Sequence, residues 1–409
     1  MQTTNANYSA RGVTLPVVRP KMPELDSVRG IAILMVLFYH GFASRYGTAG
    51  MSGLPKFLVS LTGPGWTGVN LFFALSGFLI TGILLDSKEE TSYYRRFYFR
   101  RALRILPAYY ALLLLLLAGG TYVANGDSVS WKFLGLSTLY LANVTVFFGV
   151  PMQFGVLWSL AVEEHFYLVW PVIVRNLSRS AVCVSASLIA VAATIARVVA
   201  SRLGFDCFGH YTWLVADGLA FGALLAAFVR GRMGTRKGLL LISLATVVMA
   251  LALVGIDAPF RRPLFGGALH VTALNLLCTG AVSLTLFVGT GSWRLLMHQK
   301  ALRFFGDISY GLYLVHLVLF NVFDNLWRRL LPGMPSFKGH FEAMLLRFVV
   351  AGSAAVLVAT ISRWYFEEPF LRLKDRLDST SKRGTQPSQG RDPVGSGPSD
   401  VSCADGVYQ

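Results

Sequence analysis

LDSVRGIAILMVLFYH, residues 25–40, runs out of an arginine and through an apolar segment into a histidine. Eleven positions separate Arg29 from His40; on a helix turning ~100° per residue they lie about 20° apart around the axis and roughly 16 Å apart along it. The two polar groups therefore share one face. With Arg29 at a membrane interface, His40 sits about half-way across, at a depth where a charge costs ~2.5–3.5 kcal/mol to insert. A neutral imidazole there can take a proton from a hydroxyl. The competing structural reading is a core histidine bonded to a neighbouring helix.

The rest of the chain has the same character. It is 54% hydrophobic and 14% charged, with mean hydropathy +0.55, whereas soluble domains carry ~25% charge. A hydrocarbon core about 30 Å thick takes roughly 20 apolar residues per helix. This predicts ten spans, at 28–46, 66–86, 104–124, 156–174, 181–201, 211–229, 236–254, 267–290, 307–327 and 342–366. The runs are apolar around most of the helix rather than alternating, which disfavours an outer-membrane barrel. The fold class is all-α, a polytopic membrane helix bundle of about ten transmembrane helices.

Lysine and arginine are unevenly spread. With both termini cytoplasmic, the inner segments hold 25 and the outer loops 9, while Arg197, Arg347 and Arg363 fall inside spans. This fits the positive-inside rule and a bacterial inner (cytoplasmic) membrane. The net charge of +16 then lies mainly on the cytoplasmic rim, where membrane lipids or an anionic cytosolic ligand would meet it; nucleic acid has no soluble domain to bind. FLGLSTLYLANVTVFFGV, 133–150, is long enough for a short span that would invert everything downstream. It reads as an interfacial or re-entrant element packed on the bundle. The four cysteines are scattered, without the spacing of a metal or disulfide site. Residues 1–24 form a polar cytoplasmic segment with no cleavable signal peptide, 25–376 the transmembrane domain, and 377–409, rich in Ser, Gly and Pro, a disordered cytoplasmic tail.

Further stretches place polar groups inside spans. LFFALSGFLITGILL, 71–85, holds Ser76 and Gly77, small residues that permit close helix approach; Ser76 lacks the G-x-S-x-G context of an acyl nucleophile. In RRFYFRRALRILPAYY, 95–110, Arg101 and Arg104 share a face with Arg100 beside them. An arginine run without lysine suits a bidentate hold on phosphates; a topology signal is the alternative. LWSLAVEEHFYLVWP, 157–171, carries Glu163, Glu164 and His165, and adjacent carboxylates diverge on a helix, so at most one aims at the His40 face. Asp217 in VADGLAFGALLA, Tyr310 and His316 in DISYGLYLVHLVLF, and Glu367 in WYFEEPFLRLK complete the polar set. Helix-to-helix hydrogen bonding is their structural alternative.

In this order the segments resemble the acyltransferase-3 family of inner-membrane acyltransferases, which O-acetylate surface polysaccharides and, in some members, acylate macrolide sugars. The resemblance covers most of residues 22–376 and is carried by LDSVRG…H, LFFALSGFLIT, RRALRILPAYY, LWSLAVEEHFYLVWP, DGLAFGALLA, ISYGLYLVHLVLF and YFEEPFLRL. It implies that His40 is the family's essential histidine with Arg29 as partner, Arg101 and Arg104 its arginine pair, and Glu163 the glutamate of W-S-L-x-V-E. Two departures stand out. TWLVA before Asp217 is apolar where many members carry a polar residue, and the extracytoplasmic SGNH-type esterase domain of some members is not legible here. The acceptor is then expected to be reached by the membrane part itself or through a partner such as a glycan-assembly protein.

The resemblance implies an O-acetyltransferase without a metal. Acetyl-CoA, or another short-chain acyl-CoA, would dock its phosphates on Arg100, Arg101 and Arg104 and extend towards His40. His40 would serve as general base on a sugar hydroxyl or as acyl relay. Glu163 would fix its tautomer or hold the acceptor, and Arg29 would hold the donor or polarise its carbonyl. Ser76, Asp217, Tyr310, His316 and Glu367 are supporting candidates. A cell-surface or lipid-linked glycan, from lipopolysaccharide, exopolysaccharide, capsule or peptidoglycan, and a macrolide sugar are the open acceptors. A transporter or flippase is the competing class, since buried Arg, His and Glu also build proton relays. Against it, no symmetric pair of broken segments recurs between the two halves.

Overall fold

The computed structural model describes residues 19, 22–120, 129–204, 210–231, 233–257, 267–289, 298–331, 333–334 and 337–373. The expectations for most of the N-terminal segment and for the tail fall outside these residues. All regular structure among them is helical: α1 (Pro23–Tyr46), α2 (Gly53–Asp86), α3 (Tyr93–Gly119), α4 (Trp131–Thr138), α5 (Leu157–Asn176), α6 (Arg179–Arg202), α7 (Thr212–Val229), α8 (Arg236–Ile256), α9 (Ala268–Val288), α10 (Lys300–Asp307), α11 (Ser309–Leu330) and α12 (Phe341–Leu373). Nine of these are long and apolar enough to cross a membrane, and the pair α10 and α11, bent by 74° at their junction, makes up to ten. Each coincides with one expected span.

Apolar side chains point outward as well as inward. Val184, Leu188 and Ile195 of α6 and Leu241, Val248 and Leu251 of α8 are each more than half exposed. Water would penalise such a surface, whereas hydrocarbon solvates it, and only the backbone needs internal hydrogen bonds. Inside, small residues bring backbones together. A Cβ at Gly77 of α2 would collide with the Leu219 carbonyl of α7, and one at Gly222 with the Ala74 carbonyl. Gly30 of α1 and Gly306 of α10 face the Leu302 and Asp26 carbonyls in the same way.

One intramembrane charge pair ties α6 to α7. Arg197 and Asp217 are both fully buried, with Arg197 Nη1 and Nη2 donating to Asp217 Oδ1 and Oδ2 at 2.9 and 2.6 Å. Nη2 also donates to Thr272 Oγ1 of α9 at 2.6 Å, and Nη1 to the Leu214 carbonyl.

Two helices start more than ten residues before their expected spans. α2 begins at Gly53 rather than 66, because Pro55 falls in the first turn, where its missing N–H costs nothing. The breaker-rich Gly63–Thr67 is a 3-10 turn within the continuous helix. α3 begins at Tyr93 rather than 104, so its arginines ride on a formed helix. Residues 133–150 do not cross: α4 is followed by a 3-10 stretch, Ala142–Phe148. Tyr109 and Tyr110 of α3 hold this element, donating to the Ser137 and Thr138 carbonyls at 2.6 and 3.1 Å. Tyr140 turns the chain at φ 57° and stacks on Tyr109 at 4.2 Å.

Candidate active site

His40 lies in a π-helical turn, Tyr39–Ala43, near the end of α1. Its Nδ1 is 3.0 Å from the Val36 carbonyl, and Nδ1 of His316 in α11 is 3.0 Å from the Leu312 carbonyl. A carbonyl can only accept, so the hydrogen-bond network assigns both Nδ1 atoms the proton and both Nε2 atoms a lone pair. The His40 Nδ1–H is then shared with His316 Nε2 at 3.3 Å. His40 Nε2 is left as a base. His316 itself is fully buried.

A second device holds that turn. A π turn disturbs the regular carbonyl pairing of the helix, and Arg347 of α12 answers it. Its Nη1 donates to the His40 and Gly41 carbonyls at 3.2 and 2.8 Å. Its Nε and Nη2 donate to Asp324 of α11 at 2.6 and 3.2 Å. Asp324 also accepts from Arg45 Nη1 at 2.8 Å and Tyr46 Oη at 3.1 Å. Phe348 occupies the space Gly41 leaves free, packing on Phe42 and Phe38 at 4.9 and 4.8 Å between centroids. Reading the sequence does not single out Asp324 and counts Arg347 only as an in-span charge. The usable signal is that such a charge needs a buried partner.

Three cavities follow one another along the bundle. The outer one, about 310 Å³, is walled by Asp86, Glu90, Arg96, Arg100, Arg101 and Arg104, where α2 ends and α3 begins. A middle one, about 100 Å³, shares Arg101 and Arg104 and adds Arg29, Ser76, Glu163, Glu164 and Tyr310. The third, about 420 Å³, contains His40 and lies where α1 ends and α5 begins. Val69 and Tyr313 line both the middle and the third cavity. Tyr313 Oη is paired with Ser159 Oγ at 2.5 Å.

The sequence candidates divide among these places. Arg29, bonded to Asp26 at 3.1 Å, stands with Arg101 and Arg104 in the middle cavity rather than beside His40. Glu163 accepts from Ser76 Oγ at 3.0 Å and Tyr167 Oη at 2.9 Å, so His316 and Val36, not Glu163, are the hydrogen-bond partners of the His40 ring. Glu164 lines the same cavity as Glu163, wide enough to take both carboxylates although they diverge on α5. Arg101 sits over the Tyr167 ring at 5.2 Å. Tyr310 Oη donates to the Ile105 carbonyl at 2.9 Å. Three candidates stay apart from the cavity walls: His316 is buried behind His40, Asp217 is taken up by Arg197, and Glu367 accepts from Ser362 Oγ at 3.2 Å. Among the described residues no group of three His, Cys, Asp or Glu is placed to hold a metal.

Fold and site together define a polytopic α-helical membrane protein with a histidine pair between α1 and α11 and an arginine-lined cavity adjoining the one that holds His40. The chain belongs to an acyltransferase family: the family model described as an acyltransferase domain matches residues 22–364. It is similar to the peptidoglycan O-acetyltransferase OatA of Listeria monocytogenes, 27% identical over an alignment of 358 residues that covers 78% of this chain and 54% of that protein. A Bacillus subtilis protein, YrhL, provisionally named a peptidoglycan O-acetyltransferase, is 32% identical over 167 residues, 37% of this chain and 23% of its own length. A Staphylococcus aureus (strain MSSA476) protein, provisionally named an O-acetyltransferase, is 35% identical over 173 residues, 38% of this chain and 25% of its own length. The chain thus spans about half the length of the first relative and about a quarter of the other two. It is a multi-pass bacterial membrane protein.

Proposed function

We propose that the chain is a membrane-embedded O-acyltransferase that moves an acyl group, acetyl in the first place, from acyl-CoA to a hydroxyl of a cell-surface glycan of the peptidoglycan type. The observation that carries this reading is His40. Its tautomer leaves Nε2 basic, and its cavity adjoins, through Val69 and Tyr313, one walled by three arginines. The positive-inside distribution supports cytoplasmic termini, which turns the outer cavity to the cytosol.

Arg100, Arg101 and Arg104 hold the donor phosphates, and Arg29 carries that field inward. The acceptor oxygen attacks the thioester carbonyl carbon while His40 Nε2 takes the hydroxyl proton; the C–S bond breaks and the CoA thiolate leaves, taking the proton back from the imidazolium. Ser76 and Tyr167 keep the Glu163 carboxylate on the wall beside the donor.

The test is CoA release from acetyl-CoA by the purified chain in liposomes containing lipid-linked peptidoglycan precursor, with His40→Ala and Arg101→Ala beside wild type. His40→Ala is expected to bind donor and lose ~10²–10⁴-fold in turnover, the usual worth of a general base. A wild-type chain that neither binds nor consumes acyl-CoA overturns the reading.

A further inference from the structure

We infer that the third cavity is the acceptor subsite and that it takes a neutral pyranose ring, leaving any charged part of the acceptor outside; this rests on the acyltransferase reading above. At about 420 Å³ it falls within the ~300–1,000 Å³ of small-molecule sites, which are apolar with a few placed polar groups. Its wall contains Tyr39, Trp66, Trp158, Tyr313, Asn70 and His40, and among the described residues no Asp, Glu, Lys or Arg. The contrast with the two arginine-bearing cavities is chemical. A phosphate or carboxylate finds its counter-charges there and none here, so an anionic group in the third cavity would be desolvated without compensation.

The wall suits a sugar in detail. A pyranose presents C–H faces that pack on indole and phenol rings, and hydroxyl edges that need donors and acceptors. Trp158 is braced by edge-to-face contacts with Phe73 at 6.0 Å and His210 at 5.2 Å, and Trp66 is 41% exposed, so both indoles are present as surfaces. Asn70 gives one amide hydrogen to Asn275 Oδ1 at 2.6 Å, and a carboxamide offers a second donor hydrogen and an acceptor oxygen besides. Asn275 stands behind the wall, and Asn70 is the carboxamide that a sugar hydroxyl in the cavity can reach. His40 stands on the same wall, so a hydroxyl of a ring seated there comes within the base's range.

The experiment uses the full chain in nanodiscs with acetyl-CoA, a neutral β-1,4-linked N-acetylglucosamine tetramer and, as anionic counterpart, a galacturonic acid tetramer. The neutral tetramer is expected to stimulate CoA release and the galacturonate to leave it unchanged. Trp158→Leu and, independently, Val271→Trp, which fills the cavity from α9, are expected to raise the half-saturating tetramer concentration at least ten-fold while the acetyl-CoA KM stays within two-fold. Equal stimulation by the anionic tetramer, or unaltered half-saturation in both variants, overturns the inference. CoA release that no sugar stimulates overturns the inference alone, whereas a chain that binds no acyl-CoA overturns the proposed function as well.

Discussion

His316 Nε2 lies 3.3 Å from His40 Nδ1 across the α1–α11 contact, and each ring is also tied to a carbonyl one turn back on its own helix. The Val36 carbonyl alone suffices to keep the proton on His40 Nδ1, so His316 strengthens an arrangement it does not create. His316→Leu should therefore cost about one hydrogen bond, ~0.5–1.5 kcal/mol, a kcat roughly 2–10-fold lower with the donor dissociation constant unchanged. A loss as large as that of His40→Ala in the same CoA-release assay would assign His316 a direct part in proton transfer.

The Arg347–Asp324 pair predicts an asymmetry. Arg347→Met leaves Asp324 with Arg45 and Tyr46, whereas Asp324→Leu strands a buried guanidinium whose other bonds are to carbonyls. Breaking a buried pair so that a charge is left alone costs ~3–5 kcal/mol. Asp324→Leu should lower the unfolding midpoint in detergent more than Arg347→Met. Because Arg347 caps the carbonyls of the His40 turn, Arg347→Met should lower kcat without raising the donor KM; a donor KM that rises with it would place Arg347 in donor binding.

Asp217 is expected to behave as a structural residue. Asp217→Leu and Arg197→Met alone should each destabilise the α6–α7 contact by about 3–5 kcal/mol, and the double variant should recover much of the loss, since two apolar groups replace a desolvated pair. Turnover per folded molecule should hold in the double variant. The check is a double-mutant cycle on unfolding midpoints together with CoA release.

Arg101 and Arg104 stand in both donor-side cavities. A hydrogen bond to a charged group is worth ~1.5–3 kcal/mol, so Arg101→Gln and Arg104→Gln should each weaken acetyl-CoA binding by about 10–150-fold. Lysine should restore binding only in part, for it lacks the planar fork. Desulfo-CoA lacking its 3′-phosphate, titrated by calorimetry, should show a smaller effect of whichever arginine meets that phosphate; equal affinity of wild type and both variants for acetyl-CoA would remove the arginines from donor binding.

Gly77→Val should lower expression and unfolding midpoint, by ~1–3 kcal/mol for the overpacking of a tight contact, because any Cβ there meets the Leu219 backbone. Gly135, with open space around it, is the control in which valine costs only helix propensity.

Nine to ten spans, the all-helical class and the main polar positions were legible in the sequence because the bilayer sets them locally: some 20 apolar residues per crossing, and a cost on every charge inside. The pairing of those charges was not. Arg197 is 20 positions from Asp217 and His40 is 276 from His316, separations that no helical period connects. The same limit hid the π turn under His40, since a turn type depends on what Arg347 offers its carbonyls and not on the residues Tyr39–Ala43 themselves. Likewise Arg29 and His40 share a face of α1, yet they open onto different cavities. Local sequence chose the helices and stocked them with titratable groups; packing of helices distant in the chain decided which group holds which, and left His40 Nε2 without a partner among the described residues.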